Sequence, residues 1–312
     1  MAQKRFAAFL VRKHELAPAV DGSAPLTVET ALNLYEIEHV NRNVVDKVRQ
    51  LNAIVHLKAY FGSTPLRDLD IPASRGYSDA RRSGAIGGGK RHTGDRAKGS
   101  DSTIRRELHV LTAAVNHAKR WKRLDATDNP VVELPSDAAP EETKWLTKDE
   151  LNELFSAADG PLADFIAIAY FTAARRASIE TLRVEQVDVQ NRRINLRKAG
   201  EVATKKRRPI VPMHAKIEPI LARLVREAGP DGFLFGPSID FYKAFRALCR
   251  SAGIDDDRAH PHVLRHSRAT HLLMAKTSIY DVAKLLGDTV ATVERVYGHH
   301  STEYLMHTTG AD

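Results

Sequence analysis

The chain has 312 residues, 43% hydrophobic and 28% charged, and its 47 Lys and Arg outnumber 39 Asp and Glu to give a net charge of +8. At roughly 100–200 residues per domain this length suits two domains, and the composition excludes a disordered or membrane-embedded chain. A lone cysteine, Cys249, leaves no internal disulfide and no thiolate zinc cluster, so the positive charge points to an anionic partner, nucleic acid first.

Residues 1–26 carry Pro18, Gly22 and Pro25 and read as a loose arm or leader. The apolar stretch Phe6 to Val11 is shorter than a signal peptide requires, and no run approaches the roughly 18 apolar residues of a membrane span. A cytoplasmic protein, nucleoid-associated when bound to DNA and without membrane partners, is expected. Leu32 and Tyr35, then Leu51, Ile54, Leu57 and Phe61, fall at helical spacing, with Gly62 stopping the second run. Two helices are predicted there. Residues 75–100 hold seven glycines and seven Lys or Arg against two Asp and read as a flexible basic loop. Ile104, Leu108, Leu111, Val115 and Ala118 then mark an amphipathic helix ending near Trp121. Residues 27–133 are thus predicted as a helical domain. Its candidate contacts to a DNA backbone are Arg81, Arg82, Lys90 and Arg91 in the loop and Arg105 and Arg106 on the helix.

Pro135 and Pro140 mark a linker over residues 134–146, and residues 147–312 are predicted as a second domain. It opens on Thr147-Lys-Asp-Glu150, the pattern in which a threonine accepts from the helix backbone and a glutamate reaches back. Leu162 to Ala174 is almost wholly apolar and predicts a buried helix running into Arg175-Arg176. Val187/Val189, Ile194/Leu196 and Ile210/Val211 predict a small antiparallel sheet. Its hairpin region, residues 192–208, carries eight Lys or Arg against one Glu, Arg207 and Arg208 among them as candidate DNA contacts. From residue 238 the pattern is helical: Phe241/Phe245/Leu248, then His262 to Met274, then Val282/Leu285/Leu286 stopped by Gly287, and a last helix through Val293 and Tyr297. The fold class is mainly α with a small antiparallel β-sheet.

His262-Val-Leu-Arg265-His266 is the most specific local pattern. On a helix His262, Arg265 and either His266 or Ala269 share an edge, so a cation and an imidazole project together. No zinc-ligand motif with a carboxylate base accompanies the histidines, and no metal is expected.

The order Thr172-Ala-Ala-Arg175, a lysine-bearing hairpin, His262-Val-Leu-Arg265-His266, Leu285-Leu286-Gly287 and Tyr297 resembles the catalytic domain of the tyrosine recombinases, the phage-integrase family, over residues 147–300. The resemblance implies a C-shaped clamp, in which a helical core-binding domain and a catalytic domain close around double-stranded DNA. It implies a site-specific recombinase of a phage or mobile element, integrating or excising DNA through a 3′-phosphotyrosine. Arg175 and Arg265 would grip the scissile phosphate, because guanidinium groups donate bidentately and stay charged as negative charge builds. His262 would supply a hydrogen bond or proton, Tyr297 would be the nucleophile, and Lys205 or Lys206 would protonate the leaving 5′ oxygen. No metal and no nucleotide cofactor is implied. Partners would be recombination sites, a homo-tetramer on two of them, and accessory DNA-bending proteins.

Two departures stand out. Three residues after Arg175, where many members carry an acidic residue, this chain has Ser178; after Leu-Leu-Gly, in the usual His or Trp position, it has Asp288. Asp288 is expected to cap the following helix in preference to serving as base for the phenol, and His266 is a further candidate for support. Two alternatives accompany the enzyme reading. Residues 279–295 also read as a helix-turn-helix of a DNA-binding regulator. A recombinase-fold accessory protein silenced by Ser178 and Asp288 is the other.

Overall fold

A computed structural model describes residues 25–87, 98–125, 127–136, 143–197, 208–236 and 239–298. The chain divides into two compact units, Met1–Ala139 and Pro140–Asp312. No described helix is long and apolar enough to cross a membrane.

In the first unit α1 (Val28–Tyr35) is capped by Thr27, whose hydroxyl accepts from the Thr30 N–H, and runs on through a π-helical turn over Glu36–Val40. α2 (Lys47–Phe61) ends at Gly62, as its spacing predicts. Next comes α3 (Ile71–Ser83), which corrects the reading of residues 75–100 as loop from their start. Asp70 accepts from the Ala73 N–H, Pro72 lies in the first turn, and Gly84 closes the helix in the left-handed region. The buried face of α3 is Ser74, Tyr77, Ser78 and Arg81, a mostly polar set that hides the helical period from a search for apolar stripes. A side chain at Gly76 would meet the Tyr60 hydroxyl at 2.3 Å, so this helical glycine lets the two elements approach. Residues 88–97, the remainder of the basic stretch, lie outside the described residues. α4 (Asp101–Arg120) buries Ile104, Leu108, Leu111, Val115 and Ala118 against α1 and α2, the face its spacing marks.

In the second unit α5 (Lys148–Ala157) starts on the Thr147–Glu150 box, both halves of which form. α6 (Gly160–Thr172) is the spine of the main core, with Phe165, Ile166 and Ile168 at 0% exposure. Its one charged residue, Asp164, takes Arg223 on both carboxylate oxygens at 2.7 Å. Arg175 does not end this helix as the apolar run predicts. Ala173, at φ 52°, terminates α6 in a left-handed turn, and Arg175 begins the short α7 (Arg176–Glu180).

The sheet is antiparallel in the order β1 (Val187–Asp188), β2 (Arg193–Asn195), β3 (Ile210–Pro212), with Val187 opposite Ile194 and Ile194 opposite Val211. α8 (Glu218–Glu227) is a further helix, not among the predicted elements, and Ile217, Leu221 and Leu224 carry the spacing of a buried stripe. α9 (Phe241–Ser251) and α10 (His262–Met274) follow. A second, smaller apolar cluster joins Ala173 and Ala269 to Val282, Ala283 and Leu286 of α11 (Ile279–Leu286) and to Val293 and Tyr297 of α12 (Val290–Tyr297). α10 therefore lies between two cores. Its Val263 and Leu264 belong to the first and Ala269 to the second, which holds its polar edge fixed between them.

Candidate active site

The polar groups of the site come from three places: the α6–α7 turn, the first turns of α10, and the α11–α12 region. Arg265 sits one turn into α10 and is only 4% exposed. A bare guanidinium there would be costly, and its charge is answered in three directions. Nη1 donates to the Ala173 carbonyl at 2.7 Å, Nη2 donates to the Leu286 carbonyl at 2.9 Å, and Nη2 also bonds Asp288 Oδ2. Ala173 and Leu286 stand at the C-termini of α6 and α11, whose last carbonyls lack partners within the helix and carry the negative end of its dipole. Arg265 thus caps two helices at once, and this fixes its guanidinium.

Asp288 reaches this position through the turn before it. Gly287, at φ 65°, adopts the left-handed conformation that closes α11, and the Asp288 N–H returns to the Ala283 carbonyl at 3.0 Å. Its carboxylate then accepts from both arginines, Oδ1 from Arg175 Nη2 at 3.0 Å and Oδ2 from Arg265. The expected role of Asp288 as a helix cap is corrected. Thr289, not Asp288, caps α12 by accepting from the Thr292 N–H. The phenol's hydrogen-bond partner is an imidazole.

Tyr297 lies on the buried face of α12, 4% exposed. Its hydroxyl is 2.9 Å from His266 Nδ1. His262, one turn earlier on α10, packs edge-on against the His266 ring at 4.6 Å between centroids. Of the two histidines on that edge, His266 touches the phenol and His262 stands behind it.

Burial is the first cause of every shift in this cluster. It pushes His262 down to about 4 and His266 down to about 3, with the charge of Arg265 adding to both. It pushes the Tyr297 phenol up to about 12, against the attraction of Arg265 and Arg175 for the phenolate and with the repulsion of Asp288. Arg265 itself is lowered by burial and by the neighbouring charge of Arg175, an effect Asp288 opposes. At neutral pH the cluster therefore holds two neutral imidazoles and a neutral phenol. Neutral His266 with its proton on Nε2 can accept the phenol's proton at Nδ1.

Arg175, His262, Arg265, His266, Asp288 and Tyr297 are brought together. Lys205 and Lys206 lie outside the described residues, as do Lys90, Arg91 and Arg207. Arg81 is corrected: it is 5% exposed and bonds Glu107 through Nε and Nη2, both at 2.9 Å, while Tyr77 donates to the same carboxylate at 2.7 Å. A guanidinium so enclosed cannot reach a DNA backbone. Arg82 is partly exposed and paired with Asp101 and Asp79; Arg105 bonds the Pro135 carbonyl; Arg106 is exposed, with Nε on the Ser102 carbonyl. Arg208 is half-buried beside β3. The carbonyls of Ala173 and Leu286 went unseen in the sequence because a backbone acceptor has no residue signature.

The family model for the Phage integrase family matches residues 144–303. The integrase of Escherichia phage P2 is 32% identical over 167 residues, covering 53% of this chain and 45% of that protein, so the chain spans less than half of its length. The integrase of Escherichia phage 186 is 27% identical over 271 residues, 83% of this chain and 74% of that protein. The fold is similar to that of the Tn1549 transposon integrase solved in complex with transposon right end DNA, at TM-score 0.70 and 18% identity over 92% of this chain and 100% of the other.

Proposed function

The chain belongs to the phage integrase family, and from that premise we propose that it is a site-specific recombinase of a phage or other mobile element, cutting and rejoining double-stranded DNA through Tyr297. The observation that carries the reading is the 2.9 Å contact from the Tyr297 hydroxyl to a neutral imidazole, beside two guanidinium groups that already meet on one anion.

In this reading Arg175 and Arg265 donate to the non-bridging oxygens of the scissile phosphate. The phenol oxygen attacks phosphorus, the bond from phosphorus to the 5′ oxygen breaks, and its electron pair leaves on that oxygen. The phenol proton passes to His266 Nδ1, and Lys205 or Lys206 protonates the departing 5′ oxygen. Rejoining is the same displacement run by a 5′ hydroxyl against the phosphotyrosine. A phenol held near 12 by burial does not ionise in advance, so proton transfer accompanies attack. The arriving phosphate brings negative charge that raises the neighbouring imidazoles from their free-protein values and makes His266 the better acceptor.

The exposed cations Arg82 and Arg106, with Arg105 and Arg208, supply backbone contacts in this proposal, joined by Lys90, Arg91 and Arg207. Assembly on DNA is as a homo-tetramer bridging two sites, with accessory DNA-bending proteins. The test uses nicked duplexes tiled across the DNA that flanks the protein's gene, with the adduct resolved on a denaturing gel. Wild type is expected to form a covalent protein–DNA species on one of them and Tyr297→Phe none. Specific retention of a duplex with no adduct from wild type would favour a second reading, a regulator. That reading has one observation in its support, the two short helices α11 and α12 joined through Gly287.

A further inference from the structure

We infer that Asp288 is the positioning residue of the arginine pair: one carboxylate holds Arg175 and Arg265 together, in the arrangement that receives the phosphate, before DNA arrives. The inference rests on the recombinase reading for its activity arm and on geometry alone for its structural arm. Each carboxylate oxygen of Asp288 serves a different arginine, at 3.0 Å for Arg175 and in direct contact with Arg265. Such a two-armed bridge sets both the spacing and the mutual orientation of two like charges that would otherwise repel.

Three further features favour the assignment. The Asp288 backbone is pinned by the turn at Gly287, so the carboxylate is delivered from a rigid support rather than from a loop tip. Arg265 spends the rest of its bonded Nη donors on two helix-terminal carbonyls, so Arg175 is tied through Asp288 to a guanidinium that is itself fixed to the core. Ser178, three residues after Arg175, is 6% exposed, and its buried hydroxyl supplies no countercharge. The negative charge that the pair needs is present, and it comes from the other side of the site, 113 positions along the chain from Arg175.

The account has a definite rival, since the same contact would arise if the carboxylate simply occupied the phosphate's place and blocked it. The two make opposite predictions. As a positioning residue, Asp288 replaced by Ala leaves the Arg175 guanidinium unaligned with the fixed one of Arg265, and single-turnover adduct formation on the nicked duplex falls by about 100-fold, the scale of an ångström-level misplacement. Retention of the duplex in a gel shift is unchanged. Asp288→Asn, which keeps the shape and loses the charge and one acceptor, also slows the step. In an Arg175→Lys background, where the bridge is already broken, Asp288→Ala adds a further loss below about 10-fold, because the two residues act as one unit. A rate for Asp288→Ala equal to or above wild type overturns the proposal in favour of a blocking carboxylate; an undiminished loss in the Arg175→Lys background overturns it in favour of a general structural role.

A second readout needs no catalysis. In DNA-free protein labelled with 15N-arginine, restrained rotation of the Arg175 guanidinium should be seen in wild type and faster rotation in Asp288→Asn. Equal rotation rates in the two overturn the assignment. A wild type that forms no adduct sinks the recombinase reading instead, and the rotation rates still decide what Asp288 does.

Discussion

Replacing Arg265 by Lys keeps the positive charge and removes the planar fork, which separates geometry from charge. The guanidinium answers three acceptors in different directions: the Ala173 carbonyl at 2.7 Å, the Leu286 carbonyl at 2.9 Å and the Asp288 carboxylate. An ammonium presents its donors from a single point and cannot span all three, so at least one buried acceptor is left without a partner. A carbonyl stranded in that way costs about 1–3 kcal/mol, whereas the favourable placement of a cation at two helix C-termini is partly kept. Urea unfolding of DNA-free Arg265→Lys should therefore show a loss of about 1–3 kcal/mol, read as a lower midpoint at unchanged slope. Single-turnover adduct formation should fall by at least about 100-fold, the scale seen when one donor to a developing oxyanion is removed. A variant as stable as wild type that forms adduct at the wild-type rate would refute the reasoning, since it would mean that charge alone, and not a fixed guanidinium, is what the site uses.

Other outcomes follow from the same contacts. Arg81→Ala breaks a buried ion pair and should destabilise the protein by about 3–5 kcal/mol in urea unfolding, whereas Arg106→Ala should leave stability unchanged and lower the salt slope of DNA binding by about 1. The two histidines are held well below their ordinary value of 6.5, so the unfolded chain takes up protons that the folded one refuses. Their contribution to stability is complete above about pH 6.5 and is lost as pH falls, toward about 4 for His262 and about 3 for His266, with a slope of up to about 1.4 kcal/mol per pH unit for each. His266→Gln should remove one such share, which urea titrations at a series of pH values would read; an unchanged slope would contradict the buried neutral imidazole. Gly287→Ala forces a side chain into the left-handed turn at φ 65° and should cost about 1 kcal/mol, with slower adduct formation because Asp288 is carried by that turn.

Much of the fold was legible because its signals are local. The Thr147–Glu150 box, the stop at Gly62 and the apolar stripe of α4 each lie within a few residues of one another. The three strands were legible from alternation. α3 was not, because its core-facing residues are serines, a tyrosine and a paired arginine, and the pairing that makes Arg81 buriable is with Glu107, 26 residues away. The site divides in the same way. His262 and Arg265 share a helix edge by spacing alone, but whether His266 joins it and which imidazole meets the phenol depend on how α12 packs against α10. The sequence neighbours of Asp288 suggest a helix cap, whereas its partners, Arg175 and Arg265, are neighbours only in space. Net charge pointed to an anionic partner without separating the buried Arg81 from the exposed Arg106, a distinction that tertiary structure alone makes.

The central claim is that Tyr297 is the residue that joins DNA, and it can be read directly. Wild-type protein trapped on a nicked duplex from the DNA flanking its gene would be digested with protease and nuclease, and the surviving peptide–nucleotide adduct sequenced by mass spectrometry. The account predicts a nucleotide 3′-phosphate esterified to the Tyr297 hydroxyl and no adduct from Tyr297→Phe. An adduct on any other residue, or one that persists in Tyr297→Phe, would contradict it.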